Sequence, residues 1–346
     1  MKICFFIGSR ANYGRLKMVI HEAISSQCQV DIILASEGTK INNEYKKNVR
    51  MTIDGLMYND THCNMIFTTG IIAEHVANYF EQPGNRPDVA IVHGDRYECL
   101  GFAMAASYMN IPLAHTEGGE LTGTIDNKVR LAITALADYH FTPTELAYKR
   151  LSNIYNINPS RVFFVGSPTI DYIKSLRLEM PDDIKDYALV IMHPNTTQKE
   201  NFDEFIKAID KLRHKIKIIW ISPNTDPGCK GMLKQIHSLK GIQFEKSMPS
   251  EKFYTYLWNC NFLLGNSSAG IKEGGFLGIP YLLVGTREDE REHGLNVITI
   301  PFSSEIIFRT AMKFVENFTR YPRCTNLWGN GTASEQIINA LKEVIK

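Results

Sequence analysis

Apolar positions along the chain follow two alternating rhythms. Short unbroken runs rich in β-branched and aromatic residues, "KICFFIG" (2–8), "QVDIILA" (29–35), "DVAIVHG" (88–94), "IPLAH" (111–115) and "VFFVG" (162–166), predict strands buried on both faces. Between them the apolar residues return every three or four positions, as with Leu16, Val19, Ile20 and Ala23 in "GRLKMVIHEAISS". The same spacing in "GIIAEHVANYFEQ", "YECLGFAMAASYMN" and "TELAYKRLSNI" predicts amphipathic helices. A polar stretch containing "EMPDDIKD" follows "GSPTIDYIKS" and reads as a link, with a boundary near 166–186. The alternation then restarts through strands "YALVIMH", "KIIWISP", "IQFEKS", "NFLLGNSS" and "PYLLVG". Helices "NFDEFIKAIDKLR", "GMLKQIHSLK", "SEKFYTYLWNC" and "AGIKEGGFLG" separate these strands.

Strands alternating with helices mean parallel sheets covered on both sides. The expected fold is α/β, with two Rossmann-like doubly wound domains facing a cleft. The expected limits are 1–172 for the N-terminal domain and 173–325 for the C-terminal, nucleotide-binding domain. A last helix within 326–346, "SEQIINALKEVI", is free by pattern to join either domain, and packing back on the N-terminal one is the expectation. Length agrees, since 346 residues exceed one ordinary domain.

Charge narrows the partners. With 38 basic and 37 acidic residues, the chain has no general attraction for nucleic acid or an anionic membrane. No run approaches the length of a membrane span, and "MKICFFIGSRANYG" reads as a first buried strand rather than a signal peptide. The seven cysteines are odd in number, scattered, and without a C-x-x-C pair, which points to reducing cytoplasm. There is no zinc pattern, no serine-hydrolase order and nothing requiring a redox cofactor, so the expectation is no metal and no cofactor.

In doubly wound sheets, ligands bind beyond the carboxyl ends of the strands. Residues just after a strand therefore carry the candidate chemistry. "IGSRANYG" (7–14) sets Arg10 after the first strand, able to fork onto a phosphate, or merely to decorate a turn. "VHGDRYE" sets Asp95 after another strand, where capping the following helix would also explain it. "AHTEGGELTGTID" places Glu117 directly after a strand and before two glycines, a poor capping position, and Asp126 before a helix. Three carboxyl groups after neighbouring strands exceed what caps require, and such crowding produces acids and bases useful at neutral pH.

The second half offers His193, the last residue of "YALVIMH". "LLGNSSAGIKEGGFLGIP" sets Ser267 and Ser268 at a strand-to-helix turn, either capping their own helix or seating a diphosphate. Glu273 lies further into that helix, within reach of ribose or sugar hydroxyls. "GTREDEREHG" adds Arg287 and His293, while Arg291 reads as part of a solvated charged loop.

Taken together and in order, "GSRANYG", "HGDRYE", "HTEGGELTGTID", "HPN", "GNSSAGIKEGGFLGIP" and "GTRE…HGLNV" resemble the UDP-N-acetylglucosamine 2-epimerases, more closely the hydrolysing branch that opens sialic acid and related nonulosonate synthesis. The likeness is colinear from about residue 3 to 300. It implies a glycosyltransferase-B-like pair of Rossmann domains, UDP-sugar and UDP as partners, and a homodimer or homotetramer. Carried over, it makes Asp95, Glu117 and Asp126 the catalytic carboxylates and turns His193 to the sugar. Arg10, Ser267 and Ser268 then hold the diphosphate, Glu273 holds the ribose, and Arg287 and His293 lie near the substrate. Two positions depart from the family pattern: Asn12 and Asn127 stand where relatives commonly carry acids. The implied reaction is elimination of UDP to a 2-acetamidoglycal, then water addition that releases the free 2-epimer. A non-hydrolysing epimerase, a nucleotide-sugar glycosyltransferase and a binding module on the same fold are the competing readings.

Overall fold

The computed structural model describes residues 1–40, 44–54, 62–122, 125–176, 178, 186–195, 198–224, 226–317 and 319–345, and leaves the side chains of Arg10, Ala11 and His62 undescribed. Most of the expected polar link at 179–186 lies outside these residues. The chain divides into two compact units. The first holds residues Met1–Glu120, Asp126–Ser175 and Asn326–Lys346; the second holds Leu121–Ile125 and Leu176–Thr325.

Seven parallel strands build the first unit. They are β1 (Lys2–Ile7), β2 (Gln29–Ala35), β3 (Val49–Ile53), β4 (Val89–His93), β5 (Leu113–Thr116), β6 (Tyr139–Thr142) and β7 (Val162–Phe164). Their order across the sheet is β3-β2-β1-β4-β5-β6-β7, so the winding reverses between β1 and β4. Helices α1 (Arg10–Ser25), α2 (His62–Glu81), α3 (Tyr97–Tyr108), α4 (Asp126–Leu136), α5 (Glu145–Lys149) and α6 (Pro168–Ser175) accompany them. One face of the sheet buries Ile3, Phe5, Ile7 and Ile32 against Leu16, Val19 and Ile20 of α1. The other buries Cys4, Phe6, Ile33 and Val92 against Ile72 and Val76 of α2 and Phe102 of α3. Alternation within a strand thus serves both faces, and each fully buried side chain contributes about 1.5–3 kcal/mol.

The second unit repeats the plan. Strands β8 (Tyr187–Ile191), β9 (Lys217–Ile221), β10 (Gln243–Glu245), β11 (Phe262–Gly265), β12 (Tyr281–Val284) and β13 (Val297–Ile300) run in the order β10-β9-β8-β11-β12-β13, all parallel. Helices α7 (Phe202–Leu212), α8 (Cys229–Ser238), α9 (Ser250–Asn259), α10 (Lys272–Leu277) and α11 (Ser304–Glu316) complete it. Trp220 on β9 is fully buried and meets the Phe205 ring edge-on, with centroids 5.6 Å apart.

The final helix, α12 (Ala333–Val344), returns to the first unit and adds Ile337, Ile338 and Leu341 to the core beside α1. Its start is capped from another helix. Asp171 of α6 accepts from the backbone N–H groups of Ala333 at 3.2 Å and Ser334 at 2.6 Å. Burial pushes this carboxyl up, and those hydrogen bonds oppose the shift.

Two histidines are buried in the first sheet. His115 on β5 is held down to about 3, chiefly by burial, and His140 on neighbouring β6 to about 4 for the same reason. Both are neutral when folded, yet in the unfolded chain they take up protons near pH 6.5. Below that pH the unfolded state binds more protons, so stability falls as pH falls. The expected loss is about 1.4 kcal/mol per pH unit for each histidine between pH 6.5 and 4. Urea midpoints measured at pH 7.5, 6.5 and 5.5 read this loss, and His140→Phe should make the slope shallower. A second expectation concerns the cap: Asp171→Ala should destabilise the protein by about 1–2 kcal/mol and expose α12 to trypsin at Lys342.

Candidate functional site

Glu117 takes the position immediately after β5 and is 2% exposed. Its backbone is left-handed at φ 62°, which an L side chain with a long stem adopts only where neighbours enforce it. The enforcement is visible. Its N–H donates to the Phe141 carbonyl at 2.8 Å, and Ser167 Oγ donates to Oε1 at 2.5 Å. Oε2 lies 3.4 Å from His93 Nε2 and 3.8 Å from Arg15 Nη1. His93 ends β4, is fully buried, and is gripped at its other nitrogen by Thr116 Oγ1 at 2.8 Å. The imidazole is therefore aimed at the carboxylate by the strand beside it.

Asp95 lies two residues beyond β4. The cap position of α3 belongs to Arg96 rather than to Asp95, and the Arg96 side chain makes no capping hydrogen bond. Asp95 instead forms an ion pair with Arg130, a guanidinium buried on α4. Arg130 also donates to the Glu120 carbonyl at 2.9 Å and to Asn127 Oδ1 at 3.3 Å. Asp126 is the first residue of α4, one turn before Arg130, where a negative charge complements the helix end. Neutral His115 fastens the same region, with Nε2 donating to the Gly94 carbonyl at 2.7 Å and Nδ1 lying 3.2 Å from Thr134 Oγ1. Register pairs His93 with Thr116, so Asp95 and Glu117 emerge from adjacent strand ends. The structure thus ties Asp95 to Arg130 on the helix that Asp126 begins, and places Glu117 on the neighbouring strand.

The first strand-to-helix turn is tighter than expected. Ser9 caps α1 by accepting from the Asn12 N–H at 3.2 Å, and the helix begins at Arg10, so most of "IGSRANYG" is helical. The Arg10 side chain, expected on the diphosphate, lies outside the described residues. Asn12 is buried, accepts from Ser9 Oγ at 3.1 Å, and donates to the His93 carbonyl at 3.3 Å. A neutral amide at this position ties α1 to the end of β4 using both of its polar atoms.

In the second unit, His193 stands two residues past β8. The Asn224 N–H donates to its Nδ1 at 3.0 Å, so the neutral ring carries its proton on Nε2 and is a donor there. Asn266 locks the backbone of His193 on both sides, accepting from its N–H at 2.7 Å and donating to its carbonyl at 2.9 Å. Arg287 Nη1 donates to the Asn266 carbonyl at 3.2 Å and to Glu288 at 2.5 Å. Arg291 is 6% exposed and meets the same Glu288 at 2.8 Å, so it is part of a buried ion cluster, not of a solvated loop.

The Ser267–Ser268 segment forms a short 3₁₀ turn, Ser268–Gly270, before the six-residue α10, in place of one continuous helix. Ser267 accepts from its own Ala269 N–H at 3.4 Å, and Ser268 is half-buried. Glu273 is buried in the first turn of α10. Gly265 is obligatory, because a Cβ there would strike the Ile191 carbonyl of the adjacent strand. His293 is exposed, with Nδ1 3.0 Å from the next residue's carbonyl.

His93, Arg130, Ser167 and Asn266 are absent from the expected site, and each acts through another residue. His93 and Asn266 stand inside quoted motifs, "HGDRYE" and "GNSSAGIKEGGFLGIP", Arg130 reads as an ordinary helix residue, and Ser167 has no local pattern at all. Among the described residues no cluster of His, Cys, Asp and Glu could hold a metal, and no helix is long and apolar enough to cross a membrane. The Arg130 pair yields a test. Arg130→Met strands Asp95 and should cost about 3 kcal/mol in urea unfolding, while Asp95→Asn in that background should recover part of the loss.

Comparison with known proteins extends this geometry. The family model for UDP-N-acetylglucosamine 2-epimerase matches residues 22–342. The chain is 29% identical to the UDP-N,N'-diacetylbacillosamine 2-epimerase (hydrolyzing) of Legionella pneumophila, over 99% of this chain and 96% of that protein. It is 28% identical to a UDP-N-acetylglucosamine 2-epimerase of Neisseria meningitidis, over 89% of this chain and 85% of the relative. In fold it is similar to the Methanocaldococcus jannaschii UDP-GlcNAc 2-epimerase solved with UDP-GlcNAc and UDP. That likeness has a TM-score of 0.82 at 20% identity and covers 99% of this chain and all of that one. With the match running through nearly the whole length and both sheets sharing the doubly wound, glycosyltransferase-B-like plan, the chain belongs to the UDP-N-acetylglucosamine 2-epimerase family.

Proposed function

We propose that this protein is a hydrolysing 2-epimerase of a UDP-activated 2-acetamido sugar, UDP-GlcNAc or its 2,4-diacetamido-6-deoxy relative, and that it releases UDP and the free 2-epimer. The observation carrying this reading is Glu117. A buried carboxylate held at a left-handed backbone position by Ser167, His93 and Arg15 is an expensive arrangement that core packing does not require. Similarity to the Legionella UDP-N,N'-diacetylbacillosamine 2-epimerase (hydrolyzing) favours the hydrolytic outcome.

The chemistry follows from the sugar. No carbonyl acidifies the C2 proton, so direct deprotonation is ruled out on energetic grounds. Elimination avoids the problem: the C1–O bond to the diphosphate breaks as a carboxylate removes H2, leaving a 2-acetamidoglycal. Water then adds at C1 while a proton returns to C2 from the opposite face. Removal and return on different faces require separate groups, for which Glu117 and Asp126 are assigned. Asp95, committed to Arg130, orients a substrate group. The departing UDP needs its charge met by Arg10, Ser267 and Ser268, with Glu273 on the ribose. His193 donates through Nε2 to a substrate oxygen, and Arg287 and His293 complete the binding set. A cytoplasmic homo-oligomer is the working form.

Proton NMR in D2O tests the reading directly, with UDP-GlcNAc and then UDP-2,4-diacetamido-2,4,6-trideoxyglucose as substrates. The expected products are UDP and a free 2-epimer carrying deuterium at C2. An intact UDP-2-epimer would assign the non-hydrolysing reaction instead, and no turnover of either sugar would sink the proposal. Glu117→Gln should lower turnover by about 100-fold or more while leaving UDP affinity near its original value.

A further inference from the structure

We infer that Asn330–Gly331, in the loop leading into α12, is a site of spontaneous deamidation that the fold itself promotes. The inference is independent of the reaction proposed above. An asparagine amide is attacked by the peptide nitrogen that follows it, and a glycine in that next position leaves the approach unhindered. Of the asparagines in the chain, Asn330 alone precedes a glycine. Its side chain is exposed. Among the described residues the Gly331 N–H donates to no acceptor, so the attacking nitrogen is not tied up in a hydrogen bond.

Two neighbours activate the pair, one on each reacting group. The electrophile is the Asn330 side-chain carbonyl, and Thr332 Oγ1 donates to its Oδ1 at 2.7 Å. A donor there stabilises the negative charge that develops on this oxygen as the nitrogen adds. The nucleophile belongs to the peptide between Asn330 and Gly331. Lys174 Nζ, from α6, donates to the carbonyl of that same peptide at 2.7 Å. When the Gly331 N–H loses its proton, peptide resonance puts the charge on this carbonyl oxygen, so an ammonium against it makes the proton easier to lose. The lysine is held in place, since its stem packs on Gly331 where an added Cβ would strike it. The loop is fastened on both sides of the pair. Ser167 N–H donates to the Trp328 carbonyl at 2.8 Å, and Asp171 holds Ala333 and Ser334.

The reaction needs water and no other reagent. The Gly331 nitrogen gives its proton to the solvent and bonds to Asn330 Cγ. The Cγ–Nδ2 bond then breaks, and Nδ2 leaves with a proton from the solvent as ammonia. A five-membered succinimide remains, and water opens it at either carbonyl. Opening at the former side-chain carbonyl gives aspartate with an intact backbone. Opening at the backbone carbonyl gives isoaspartate, whose chain runs through an extra methylene. Both products exchange a neutral amide for a carboxylate beside Lys174 and just ahead of α12, whose N-cap Thr332 makes no side-chain capping bond. The helix end and the ammonium both favour that charge.

Peptide mapping by mass spectrometry, after incubating the purified full chain in mildly alkaline buffer, tests this. Trypsin releases residues 324–342 as one peptide, in which the exposed Asn326 and Asn339 serve as internal controls. Asn330 alone should turn into an acid, and faster in the folded chain than in the isolated peptide kept in the same buffer. Lys174→Met should slow the conversion about fivefold, the rate equivalent of about 1 kcal/mol from an exposed charge contact. Lys174→Arg should restore most of that rate. Thr332→Val, which removes the donor to Oδ1, should also slow the conversion and replaces Lys174→Met should that variant misfold. An Asn330 that stays an amide, or that converts more slowly in the folded chain than in the peptide, overturns the inference. So does a rate that neither Lys174→Met nor Thr332→Val changes.

Discussion

Charge can be buried only where it is answered, and the first unit is organised by that constraint. Beyond β4 and β5, two carboxylates and two buried cationic or ring partners occupy a region that would otherwise be plain sheet end. Arg130 answers Asp95, and Ser167, His93 and Arg15 answer Glu117. Removing one member leaves the other without the solvent that once satisfied it, so the group stands or falls as a set. The surrounding elements follow from this. Thr116 fixes His93, His115 fixes the Gly94 carbonyl, and Asn12 joins α1 to the His93 backbone. The apolar core is generic; the placement of these polar braces is not.

The second unit meets the same demand with an amide and an ion cluster. Asn266 bridges the ends of β8 and β11, where the winding reverses, and its carbonyl recruits Arg287. Glu288 then balances both Arg287 and Arg291 within the interior. Close backbone approach at Gly265, and at Gly270 where Tyr281 leaves no room for a Cβ, lets the strand end and the turn after it come together.

How much of this was legible depended on the length and purity of each pattern. The long apolar strands β1, β2, β4 and β8 announce themselves, as do helices with one clean apolar stripe such as α7. The strand β3, "VRMTI", is an edge strand with alternating exposure, β6, "YHFT", is four residues centred on a buried histidine, and β13, "VITI", is another edge. None offers a continuous apolar run, so periodicity passes over them. The carboxylates were found because a charged residue directly after a strand contradicts its surroundings. Their partners were not, because Arg130 lies in a helix among residues of ordinary type and Ser167 meets Glu117 across 50 positions. Long-range pairing leaves no trace in local spacing. Arg291 shows the converse: six charges in ten residues suggest solvent, yet Arg291 and Glu288 pair with each other and go inside while Asp289 and Glu290 stay exposed.

The return of α12 has a consequence for how the protein is made. The face of the first sheet formed by Ile3, Phe5 and α1 needs Ile337, Ile338 and Leu341 to close it, and the α12 cap is Asp171, some 160 residues upstream. Chains emerge from the ribosome in order, and domains fold as they become complete. The second unit lies wholly within residues 121–325, so its strands and helices are all available before α12 is synthesised. The unit that starts first therefore finishes last, with an apolar flank waiting open through the making of its neighbour. For that interval the nascent protein is a ready client for chaperones, and any pause in translation ahead of residue 333 prolongs it.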